Sequence, residues 1–114
     1  MINALTVDVE DWVQSVLDHD LPLTERFVAN TDRILELLDT HDVRATFFVL
    51  GLAAEKAGHV VKAIADAGHE VQSHGYGHQR VSHQTPEAFR EDVTRAKALL
   101  EDLRATMEKF SATN

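Results

Sequence analysis

His74 and His78 stand four residues apart in the stretch His69 to His78, HEVQSHGYGH, with Gly75-Tyr76-Gly77 between them. On a first helical turn or in a tight loop, two imidazoles at that separation can aim at one metal ion. Imidazole is the commonest metal ligand in proteins, and a catalytic Zn²⁺ takes three protein ligands with a fourth position open. The third ligand must come from elsewhere in the chain, and the acidic run Asp8-Val9-Glu10-Asp11 supplies the candidates. There is no cysteine, which excludes disulfides, thiolate sites and Cys nucleophiles. Any metal here would be held by His and carboxylate.

Those two stretches can meet only if the elements between them bring them together. Ala4-Leu5-Thr6-Val7-Asp8-Val9 is short, apolar and β-branched, and predicts a buried strand that delivers acid at its carboxyl end. Val13 to Leu23 predicts mostly loop. Thr24 is the expected cap of a helix to about Thr40, with Phe27, Ile34, Leu35, Leu37 and Leu38 as its apolar stripe. Arg44 to Gly51 is a continuous apolar run, expected as a strand buried on both faces. A helical turn over Ala53 to Ala57 is expected to stop at Gly58. A helix from Val60 to Ala67 should stop at Gly68.

Glu70 to Ser73 then predicts a third strand, leading directly into the two histidines. Thr85-Pro86-Glu87 is a helix start, with a capping hydroxyl, Pro at the first helical position and an acid in the first turn. Phe89, Val93, Ala96, Leu100 and Leu103 carry that helix to about Thr106, and residues 107–114 are expected to fray. The order β-α-β-α-β-α predicts an α/β fold with parallel strands and right-handed crossovers. The ends of the first and third strands then share one sheet edge, which joins Asp8, Glu10 and Asp11 to His74 and His78.

A length of 114 residues bounds the chain to one domain with a modest core. The net charge of −8, with no basic run, argues against nucleic acid and against an anionic membrane surface as partners. Met1 to Leu5 resembles neither a signal peptide nor a membrane span, so a cytoplasmic location is the default expectation.

Thr6-Val-Asp-Val-Glu-Asp-Trp12, Ala45-Thr-Phe-Phe-Val-Leu-Gly51 and Gly68-His-Glu-Val-Gln-Ser-His-Gly-Tyr-Gly-His78 resemble, in order and spacing, the first half of the polysaccharide deacetylases. This is the NodB-homology family (carbohydrate esterase family 4-like). The closest likeness is to the subgroup with an Asp-Val-Glu-Asp first motif, linked to exopolysaccharide biosynthesis. The resemblance spans roughly residues 4 to 104. It implies part of an irregular (β/α) barrel and the metal-assisted hydrolysis of N-acetyl groups on amino sugars, in a polysaccharide or oligosaccharide. Asp8 would be the general base, and His74 and His78 would bind a divalent metal, Zn first with Co, Ni or Mn as alternatives. Most members have adjacent aspartates, whereas Val9 follows Asp8 here, so the metal carboxylate shifts to Glu10 or Asp11.

Family domains are longer, and the later motifs, with the histidine that acts as general acid, have no match in this sequence. A truncated domain, impaired or inactive by itself, is therefore expected over residues 1–106. The alternatives are an allantoinase-like amidohydrolase of the same fold and a non-catalytic metal-binding or self-associating fragment. An incomplete barrel leaves an open sheet edge that invites pairing with a second copy.

Other residues carry plainer expectations. Trp12 is expected to pack, and Tyr76 either lines the site or packs in its turn. His41, His59 and His69 are expected as structural residues at helix ends, where a cation complements the dipole. His19 and His83 are expected on surface loops, and the charged residues of the last helix on a solvated face.

Overall fold

In the computed structural model, which describes residues 3–113, three short strands run parallel in the order β1 (Thr6–Val9), β2 (Thr46–Val49) and β3 (Glu70–Ser73). A π-helical segment (Val13–Leu17) and α1 (Arg26–Thr40) follow β1; α2 (Gly51–Lys56) and α3 (Gly58–Asp66) follow β2. After β3 come a 3₁₀ turn (Val81–His83) and α4 (Pro86–Thr113). The α/β order and the parallel sheet agree with expectation. The register pairs Val9 with Val49 and Val49 with Ser73, so all three strands end level. The sheet is not closed, and β1 and β3 each form an outer edge.

Side chains alternate across the sheet, and only one of its faces is fully covered. Val9, Phe47, Val49 and Val71 point into a core shared with Phe27 and Leu38 of α1, Val60, Val61 and Ile64 of α3, and Leu100 of α4. Burying a side chain such as Phe47 stabilises by about 2–3 kcal/mol. On the opposite face Asp8, Phe48 and Gln72 stand in one row, with Phe48 only half-buried and its two neighbours exposed. The expectation that β2 is buried on both faces is therefore corrected, because no helix among the described residues covers this second face.

Several local expectations also shift. Leu37 is exposed, and Thr31 takes the place in the α1 stripe, its hydroxyl donating to the Phe27 carbonyl at 2.6 Å. Gly58 starts α3 rather than stopping the preceding turn. A Cβ there would sit 3.1 Å from Leu103 Cδ2, so the missing side chain is what lets α4 approach. Gly68 behaves as expected: at φ +87° it closes α3, with its N–H donating to Ala65 and the His69 N–H donating to Ile64. Phe89 and Val93 are exposed, so the face of α4 that carries them is not covered by the described chain. Trp12, expected to pack, is 55% exposed.

α4 continues to Thr113, past the expected end near Thr106. Asn114 and the side chains from residue 105 onward lie outside the described residues, and so does the expectation of fraying there. No helix among the described residues is long and apolar enough to cross a membrane.

Candidate metal centre

Because β1 and β3 end level, the first residues beyond them, Glu10 and His74, leave the same sheet edge. Glu10 Oε2 lies 3.4 Å from His74 Nε2 and 2.9 Å from His78 Nε2. One ligand atom from each of Glu10, His74 and His78 falls within 4.8 Å of the others. For a tetrahedral ion with bonds near 2.0–2.1 Å, neighbouring ligand atoms sit about 3.3 Å apart. The observed separations bracket that value.

The polar atoms also fit a cation. Glu10 Oε2, His74 Nε2 and His78 Nδ1 are buried and have no hydrogen-bond partner. The 2.9 Å approach of Glu10 to His78 is thus a close encounter without hydrogen-bond alignment. Buried polar atoms left unpaired cost about 1–3 kcal/mol each. A divalent cation among them would satisfy Glu10 Oε2 and His74 Nε2 together, which an ordinary ion pair in this geometry does not.

The structure separates the three acids of the first motif. Asp8 Oδ2 is 4.0 Å from His74 Nε2, beside the triad and open to solvent. Asp11 does not join it. Its carboxylate is buried and accepts from the Thr24 hydroxyl at 2.5 Å, the Thr24 N–H at 3.1 Å and the Gln14 N–H at 3.3 Å. Burial alone would raise the Asp11 pKa, but the Thr24 and Gln14 donors, with Arg26 nearby, together hold it below the usual aspartate value of 3.8. Thr24, expected to cap α1, makes its principal bond to Asp11 instead. Asp11 in turn caps the π-helical segment, which was expected as loop.

The tripeptide between the histidines is held at every backbone group. The Gly75 and Tyr76 carbonyls accept from the Gly51 and Leu52 N–H groups at 2.7 and 3.0 Å, and the Gly77 carbonyl accepts from Gln14 Nε2 at 3.2 Å. The Gly75 N–H donates to Ser73 Oγ at 3.1 Å, and those of Tyr76 and Gly77 donate to the two oxygens of Asp92 at 2.9 and 3.1 Å. Tyr76 packs in the turn: Arg95 lies 3.8 Å over its ring, its hydroxyl donates to Glu55, and a Cβ on Gly51 would collide with it. Burial, the Glu55 hydrogen bond and the Glu55 charge raise the Tyr76 pKa above 10.0.

Gln14, Gly51 and Asp92 were missed by the sequence reading, in which Asp92 belonged to a solvated helix face. One available signal was Asp11-x-x-Gln14, an acid three residues before Gln, which resembles the start of a helical turn. Asp92 gives no such signal. His19 is exposed, as expected, but its ring centroid is 5.9 Å from that of His78. His69 is structural for a different reason from the one expected. It is buried, and its Nδ1 accepts from the Ala45 N–H at 3.1 Å, so burial, with Arg44 nearby, pushes its pKa below 6.5.

The family profile of polysaccharide deacetylases matches residues 4–112, and the chain belongs to that family. A peptidoglycan-N-acetylglucosamine deacetylase of Bacillus cereus is 36% identical over 80 residues, covering 70% of this chain and 29% of that enzyme. Among solved structures, a protein of Mycobacterium smegmatis assigned as a polysaccharide deacetylase superposes with a TM-score of 0.71 at 30% identity. It covers 88% of this chain and 38% of that one. A Bacillus anthracis protein of the same family, described as a pseudoenzyme, superposes at 0.68 with 27% identity, covering 88% and 31%. The chain therefore spans less than half the length of the relatives it matches.

Proposed function

We propose that Glu10, His74 and His78 hold a divalent cation, Zn²⁺ first and Co²⁺, Ni²⁺ or Mn²⁺ as alternatives, in a site that removes N-acetyl groups from amino sugars. The observation that carries this reading is the convergence of one ligand atom from each of Glu10, His74 and His78 within 4.8 Å, with Glu10 Oε2 and His74 Nε2 buried and unpartnered. Glu10, and not Asp11, is the carboxylate ligand in this reading, because the Asp11 oxygens are engaged by Thr24 and Gln14. A divalent ion held there would polarise the acetyl carbonyl and lower the pKa of water to about 7.

Asp8 is the general base. It reaches within 4.0 Å of His74 and faces solvent, where it can accept the proton released as water adds to the carbonyl. Breakage of the C–N bond then releases acetate and an amine that must gain a proton. Glu10, His74 and His78 are engaged with the ion in this reading, and only Asp8, carrying the proton it took from water, can return one to the amine, so this chain supplies the metal-holding and base half of a deacetylase site. Weak turnover by these residues alone is expected. The names of the matched relatives favour an N-acetylated glycan, peptidoglycan among them, and the Asp8-Val9-Glu10-Asp11 order favours the exopolysaccharide subgroup.

Acetate release from N-acetylated chito-oligosaccharide and from peptidoglycan, with and without added Zn²⁺ or Co²⁺, tests the reading. Metal-dependent release that disappears in Asp8→Asn supports it. Release that is indifferent to metal and to Asp8 contradicts it.

A further inference from the structure

The geometry points to Asp92 as the residue that positions the two histidines for metal, an inference that rests on the metal site proposed above. His78 has φ +63°, a left-handed conformation that a residue with a side chain adopts at a cost of about 1–3 kcal/mol. Something must hold it there. The two amides immediately before it, those of Tyr76 and Gly77, both donate to the single carboxylate of Asp92, one to each oxygen. Hydrogen bonds from amides to a carboxylate contribute about 1.5–3 kcal/mol each, so the pair is large enough to offset the strain at His78.

The approach is specific to this pairing of residues. A Cβ on Gly75 would lie 3.1 Å from Asp92 Oδ1, so any other residue at 75 would push the carboxylate away. Gly75 itself sits at φ +77°, where a side chain is strained. The neighbouring acids of α4, Glu87 and Glu91, are exposed, and Asp92 alone among them turns inward. Nor does α4 need Asp92 to stay docked. Ala96 and Leu100, one and two turns later, are buried in the core at 0% and 5% exposure. What Asp92 controls is the loop, and through it the spacing between His74 and His78. Outer partners that fix ligand orientation change metal affinity by about 10- to 100-fold when removed.

Co²⁺ titration of the 114-residue chain, followed by visible absorption, separates this role from a purely structural one. Asp92→Asn keeps the side-chain shape but replaces one acceptor with a donor facing an N–H. Asp92→Glu keeps the charge and moves both oxygens by one methylene. The expected result is a native circular dichroism spectrum in both, Co²⁺ affinity weakened about 10- to 100-fold, and an altered Co²⁺ absorption envelope. In the metal-free chain, the Tyr76 and Gly77 amides should exchange at least about tenfold faster in the variants, as expected when a protecting bond is lost. Parent-like affinity and spectrum in either folded variant would overturn the positioning role alone. Failure of the parent chain to bind Co²⁺ would overturn the metal site, and this inference with it.

Discussion

Glu10 Oε2 and His78 Nε2 approach to 2.9 Å although they belong to the exits of two different strands, with β2 lying between those strands. The relationship follows from register. Parallel pairing of Val9, Val49 and Ser73 brings the strand ends level, and the clamped Gly75–Gly77 loop turns His78 back toward β1. Asp11, one residue past Glu10, points into a hydrogen-bonded pocket instead. The first motif thus divides its acids by direction: Asp8 toward solvent, Glu10 toward the histidines, Asp11 into the scaffold.

Asp11→Ala should therefore damage stability more than any metal site. It strands the Thr24 hydroxyl and the Thr24 and Gln14 amides, and the expected loss is on the order of 3 kcal/mol, measured by urea denaturation. The folded-state pKa of Asp11 is lowered, so its carboxylate contributes stability above the ordinary aspartate value. That contribution disappears as pH falls through the folded value. The gap between parent and variant should be full at neutral pH and should narrow below pH 3.8. A gap that stays constant to lower pH would contradict the assigned bonds.

Gly51→Ala should disorder the site from a distance. The new Cβ would lie 2.5 Å from Tyr76 Cδ2 and 2.9 Å from Tyr76 Cα, the latter a backbone atom that cannot rotate away. Overpacking of this kind costs about 1–3 kcal/mol. The shift should appear as a lower denaturation midpoint together with displaced His74 and His78 resonances. A variant that matches the parent in both would show that the Gly51–Tyr76 contact is looser than described.

His69 should titrate below 6.5 and remain the Nε2–H tautomer when neutral, because the Ala45 amide donates to Nδ1. A lowered histidine pKa gives stability that is complete above the unfolded value and is lost as pH falls through the folded value. Acidification from about 6.5 downward should therefore weaken the fold through this residue. Long-range ¹H–¹⁵N spectra report tautomer and titration together. Protonation at or above 6.5 would contradict the buried acceptor role.

The strands and the shared edge were legible because apolar runs, Gly68 and the Pro86 start leave periodic or positional signals in the chain. Which of the acids turns toward the histidines was not. Glu10 and Asp11 are adjacent acids, and only the direction in which β1 ends, together with the Thr24 and Gln14 donors, separates them. Leu37 and Val93 were misplaced for a related reason. A helical stripe tells which residues could face a core, while burial depends on what lies opposite. Asp92 was invisible, because an acid on a long charged helix has no pattern that distinguishes a solvated carboxylate from one turned toward two amides.

The central claim is that Glu10, His74 and His78 together hold one divalent ion, and calorimetric titration with Zn²⁺ or Co²⁺ tests it most directly. The account predicts a single site per chain that is lost in Glu10→Gln, His74→Ala and His78→Ala and kept in folded Asp11→Asn. Coincident curves for the parent and His74→Ala, or loss of binding in folded Asp11→Asn with retention in Glu10→Gln, would contradict it.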